Sequence, residues 1–217
     1  MTGTIGMLLS TEVPLPVRIA IGTCAVNETS TGGISGTVTA TGLETADLTV
    51  TGPSGGPVTL SKLPTVAGAY FAQLSAGAIP ASGGTFTFRA TDSADLEAFV
   101  TSINFPSPIL SWSNQSDSAT VTRTSGQTYN WTGGAPGTFV IMSGSSASNQ
   151  AQGSYSCIAP VEAKTFTVPS YILSGLPAGN GQSSIQNSTG LNTFDATGLD
   201  NGFAFGFVTV SVNSAWK

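Results

Sequence analysis

The chain has 217 residues, 8% of them charged and 40% hydrophobic, with a formal net charge of −5. Disordered chains pair low hydrophobicity with high net charge, so that class is excluded, and the length suits one large β-domain or two ordinary ones. Its six basic residues, Arg18, Lys62, Arg89, Arg123, Lys164 and Lys217, form no cluster, which excludes nucleic-acid binding by phosphate neutralisation and a polybasic membrane patch. No apolar run is long enough to span a bilayer.

The opening MTGTIGMLLSTEVPLP lacks the positive flank and sustained apolar core of an export signal, so a start placed after a removed signal is the expectation that fits secretion. Val13, Leu15, Val17, Ile19 and Ile21 then alternate strictly, with Pro14, Pro16 and Arg18 on the other face. Proline cannot donate to a ladder, so the stretch predicts an edge strand or a polyproline-like run. At a chain end it is also a candidate assembly strand, able to add to a sheet edge of its own subunit or of a second copy.

Ile34, Val38 and Ala40 suggest the next strand, Leu48 and Val50 another, and GPSGGP at 52–57 a turn. Val58 and Leu60, then Tyr70 and Phe71, continue the series. Phe86, Phe88 and Ala90 share a face, as do Phe99, Thr101, Ile103 and Phe105. Pro106 and Pro108 interrupt there, which places a domain boundary between 1–106 and 107–217. Tyr129 and Trp131 share a face before a turn at Gly133, Gly134, Pro136 and Gly137, and Phe139 and Ile141 are expected to return as the hairpin partner. Cys157, Phe166 and Val168 follow, then a polar loop or weak strand at 180–193. Phe203, Phe205 and Phe207 alternate, and Val208, Val210 and Val212 continue one step out of phase, which predicts a bulge beside Gly206.

No apolar 3.6-residue pattern persists for three turns, and 27 glycines and 12 prolines punctuate short Thr- and Val-rich runs. The predicted fold is all-β: antiparallel β-sandwiches, Ig-like or jelly-roll-like, in two packed β-domains.

The motifs SWSNQ, TRTSG, NWTGG, FVIMSGSS, SYSCIAP, FTVPSYILSGLPAG and TGLDNGFAFG carry a resemblance. Over about residues 83 to 212 the chain resembles a group of uncharacterised secreted proteins of environmental bacteria with Ig-like β-sandwich character. The shared motifs are structural, built on Trp, Gly, Pro and Cys. The resemblance therefore implies export and a β-sandwich, and no chemistry.

The chain contains no histidine, which removes Ser-His-Asp and Cys-His nucleophilic sites and histidine-based metal sites. No phosphate-cradling or dinucleotide motif is present. Asp92, Asp95 and Glu97 form the one acidic cluster, readable as a weak Ca²⁺ candidate or as a solvated loop. Trp112, Tyr129 and Trp131 are readable as a carbohydrate-contact surface or as core packing. Cys24 and Cys157 are either two buried thiols or one disulfide, the second favoured by secretion. The expectation is a non-enzymatic extracellular structural or adhesive protein, secreted or at the cell surface, without a cofactor. Its partners would be a second copy or a glycan. A carbohydrate-binding module is the alternative.

Overall fold

The computed structural model describes residues 4–8, 21–28, 42–199 and 202–217. The assembly-strand candidates Val13, Leu15, Val17 and Ile19, and the strand expected at 34–40, lie outside those residues. Ile21, the last of the alternating row, is exposed and sits in a turn rather than a strand.

The fold is all-β. In chain order the first strands are β1 (Thr4–Leu8), β2 (Cys24–Glu28), β3 (Leu48–Thr51), β4 (Val58–Thr59), β5 (Ser61–Lys62), β6 (Ala69–Gln73), β7 (Gly84–Ala90) and β8 (Phe99–Phe105). Then come β9 (Ser111–Trp112), β10 (Thr120–Val121), β11 (Gln127–Thr132), β12 (Phe139–Ala147), β13 (Gln152–Pro160) and β14 (Thr165–Val168). A single-turn helix α1 (Ser170–Ser174) precedes β15 (Gly179–Ser188), β16 (Asn192–Phe194), β17 (Gly202–Ala204) and β18 (Phe207–Trp216). Every pairing among them is antiparallel except the two-residue contact of β10 with β18.

The chain forms two compact units, and both draw on separated segments. Of the described residues, one unit takes 4–8, 42–107 and 189–206, and the other takes 21–28, 108–188 and 207–217. The chain leaves the first unit after Ser107 and returns to it at Thr189. The units thus divide the chain differently from the expected contiguous split at 106–107, because β2 belongs to the second unit while β16 and β17 belong to the first.

In the first unit a four-stranded sheet runs β4-β3-β7-β8 and a three-stranded sheet runs β1-β6-β5. The period-2 alternation of β7 and β8 sends Phe86, Phe88, Ala90, Phe99, Ile103 and Phe105 inward, and all are buried. Phe86 and Phe105 meet edge to face with centroids 5.5 Å apart. Tyr70 on β6 is buried too, and its hydroxyl accepts the Thr45 amide at 2.8 Å.

In the second unit a six-stranded sheet runs β10-β18-β15-β12-β13-β2, opposite a three-stranded sheet β14-β11-β9. This corrects the expected hairpin between the Tyr129 strand and the Phe139 strand. β11 pairs with β14 and β9, whereas β12 pairs with β13 and β15. The intervening turn carries the chain from one sheet to the facing one. Gly133 and Gly134 make that crossing at φ 69° and 92°, and a Cβ on Gly133 would sit 2.1 Å from the Ile109 carbonyl oxygen.

Of the two readings of 180–193, loop or weak strand, the strand holds, and one further expectation gives way. The polar stretch 180–193 largely forms β15, a ten-residue strand in the interior of the six-stranded sheet. Its inward row is Gly181, Ser183, Ile185 and Asn187, so it carries almost no apolar periodicity. The bulge beside Gly206 is absent from the β15–β18 ladder, which runs unbroken from Ser188↔Phe207 to Gly179↔Trp216. The apparent phase slip arises because Phe203, Phe205 and Phe207 point outward and are exposed, while Ala204, Gly206 and Val208 hold the buried phase.

Candidate functional site

Among the described residues β2 is the end strand of the six-stranded sheet, paired with β13 from Cys24↔Cys157 to Glu28↔Gly153. The two cysteines, directly opposite with Cα atoms 4.0 Å apart, are joined by a disulfide across 133 residues of sequence. Beside them the Ile158 amide donates to the Thr23 carbonyl at 3.2 Å, and the Gly22 amide donates to the Ile158 carbonyl at 2.8 Å. Cys157 is fully buried and Cys24 half-buried. β2 itself contributes little apolar packing, since Ala25 is half-buried and Val26 is 38% exposed. Main-chain hydrogen bonds and one covalent bond therefore hold this strand. In the loop-entropy picture a cross-link spanning so much chain stabilises by up to about 5 kcal/mol.

The carbohydrate-contact candidates lie in the interior. Trp112, Tyr129 and Trp131 are 5%, 0% and 1% exposed, so no ring face is available to a sugar. They face inward because β11 alternates Gln127, Tyr129 and Trp131 toward the six-stranded sheet. Trp112 stacks on Tyr129 with centroids 4.9 Å apart, and the Trp131 Nε1–H donates to the Val161 carbonyl at 2.9 Å.

Around Tyr129 the core contains a polar network. The Tyr155 hydroxyl donates to Gln127 Oε1 at 2.8 Å and lies 2.7 Å from the Tyr129 hydroxyl. Gln127 Nε2 donates to the Ser118 and Ser183 hydroxyls at 2.9 and 3.1 Å. Ser214 continues the chain, 2.8 Å from the Ser183 hydroxyl and donating to the Ser118 carbonyl at 2.7 Å. Burial pushes the Tyr129 phenol up to about 12 and holds Tyr155 well above the ordinary tyrosine value. Both are thus neutral hydrogen-bonding groups that tie one sheet to the other. Neither sequence spacing nor periodicity announces this cluster, since Ser118, Ser183 and Ser214 read as surface residues.

The acidic loop does not assemble a cation site. Asp92 accepts the Ala98 amide at 2.6 Å, Asp95 the Glu44 amide at 3.3 Å, and Glu97 the Thr197 hydroxyl at 2.6 Å. The three carboxylates thus serve three different local contacts, and no group of three metal-ligating side chains converges among the described residues. A shallow groove of ≈ 330 Å³ nearby is lined by Arg89, Asp92, Phe99 and Val100, among others. A second, of ≈ 280 Å³, opens beside the 52–57 turn, over Val50, Leu74 and Phe86. The second is lined by no titratable side chain. Among the described residues no helix is long and apolar enough to cross a membrane.

Among the described residues, the disulfide holds β2 at the end of its sheet, and the tyrosine network lies beside its partner β13 through Tyr155. No protein family, curated protein or solved structure matches the chain.

Proposed function

We propose that this protein is a non-enzymatic extracellular scaffold, structural or adhesive in role and located in the secreted matrix or at the cell surface. The observation that carries this reading is the Cys24–Cys157 disulfide. Such bonds persist in oxidising compartments and are rare in the reducing cytosol. The polar groups of the interior support it further. Tyr129, Tyr155 and Gln127 spend their hydrogen bonds on one another and on the buried serines Ser118 and Ser183. Side chains engaged in this way rigidify a fold. The carbohydrate-module reading finds no comparable support, because the aromatic residues that motivated it are interior.

Protease shaving of intact producing cells, with an antibody raised against the purified chain, tests the location. The chain is expected in the medium or among the shaved surface fragments, with its cysteines bridged. Recovery only after lysis, with both thiols open to alkylation, overturns the reading.

A further inference from the structure

We infer that β2 is an exchangeable edge strand: the Cys24–Cys157 bond latches it into its own sheet, and without that latch it takes the same register against β13 of a second copy of this chain. The inference rests on the scaffold reading and names its partner.

Three observations carry it. First, β2 is not joined to its partner β13 by a turn. Its neighbours in sequence among the described strands, β1 and β3, belong to the other compact unit, and its partner β13 lies more than a hundred residues downstream. A hairpin strand is returned to its partner by its turn. β2 has no such turn, so the choice between its own β13 and that of a copy falls to effective concentration.

Second, little burial opposes departure. Val26 is 38% exposed and Ala25 half-buried, so the strand gives up main-chain hydrogen bonds more than core packing. Those bonds are recovered in full against an identical β13.

Third, β13 uncovered is a receptive edge. Over 153–157, the stretch that pairs with β2, it carries neither charge nor proline, the usual devices that stop edge-to-edge pairing, and its one proline, Pro160, is its last residue. Tyr155 and Cys157 are anchored inward, which fixes the strand and its register. The cysteine pair marks that register covalently: with Cys24 opposite Cys157 the two sulfurs meet, and a one-residue slip puts them on opposite faces. Reciprocal donation closes a two-fold dimer, whereas one-way donation propagates an open chain.

Complementary single variants test the pairing. A Cys157→Ser chain keeps only Cys24, and a Cys24→Ser chain keeps only Cys157. They are mixed with oxidised glutathione, which takes up the two electrons and two protons released when two thiols become one disulfide. The expected product is a covalent heterodimer whose linked peptide joins Cys24 to Cys157, and which returns to monomers on reduction. Chains that stay monomeric, or that link only like with like, overturn the inference. Should either variant fail to fold, wild-type protein is reduced under native conditions and re-oxidised over a range of concentrations. The interchain Cys24–Cys157 product is expected to rise with concentration by mass action. An intrachain bond at every concentration overturns the exchange. A protein that is exported and bridged yet monomeric in these experiments leaves the scaffold reading standing and removes the exchange alone.

Discussion

At the scale of single residues, Tyr155 joins the two sheets of the second unit. Its hydroxyl serves Tyr129 on one side and Gln127 on the other. Tyr155→Phe leaves both partners short of a hydrogen bond in the interior. The expected loss is about 2–4 kcal/mol, since each stranded buried group costs about 1–3 kcal/mol. The Tyr129→Phe, Tyr155→Phe double variant should lose less than the sum of the singles, because the two hydroxyls satisfy each other. Urea denaturation of the three variants checks this, and strict additivity contradicts the pairing. The same residues set a pH dependence. Tyr129 is held neutral by burial up to about pH 12, above its unfolded value of 10.0. Its stabilising contribution is therefore complete below pH 10 and is lost as pH rises through about 12. The loss is about 2–3 kcal/mol in all. Absorbance near 295 nm with parallel circular dichroism should show the buried phenols ionising only with unfolding. The sequence made one part of this legible: Tyr129 and Trp131 share a face. It could not say that the face points inward, because the hydroxyl partners come from strands far away in the chain.

At the scale of elements, the interior of the six-stranded sheet is built from small and polar residues as much as from large apolar ones. Gly144 on β12 is the clearest case, since a Cβ there would lie 2.3 Å from the Tyr155 ring and 2.7 Å from the Trp216 ring. Gly144→Ala should cost about 1–3 kcal/mol through overpacking. Gly56→Ala, where a Cβ meets nothing within 4 Å, should stay within about 0.5 kcal/mol. Thermal melts of the two variants separate these outcomes, and equal shifts contradict the packing account. This composition also explains which strands could be read in advance. The Phe-rich rows of β7 and β8 alternate visibly and form as expected. β15 does not, because Ser183 and Asn187 on its inward face are buried through hydrogen bonds rather than through hydrophobicity. Asn187 alone accepts the Ala135 amide at 2.9 Å and donates to the Thr138 hydroxyl and Phe139 carbonyl, each at 2.8 Å. The exchange of sheets between β11 and β12 was equally hidden. A short glycine turn between two alternating segments specifies a reversal of direction, and it leaves open whether the second segment joins the same sheet or the facing one.

At the scale of the whole molecule, one covalent bond joins two distant segments, β2 and β13. Two cysteines with no other sequence signal left thiols or disulfide open, the disulfide favoured by secretion, and only strand register settles that Cys24 faces Cys157. Replacing both with alanine should lower global stability by up to about 5 kcal/mol. Native-state hydrogen exchange on the oxidised and reduced protein tests the latch most directly. The amides to follow are Ile158, which donates to Thr23, and those in step with it on β13, Ser156 and Ser154. On reduction at low protein concentration these amides should lose protection while those of β12, β15 and β18 keep theirs. Unchanged protection along β13 after complete reduction would contradict the account, because β2 would then be held without its disulfide.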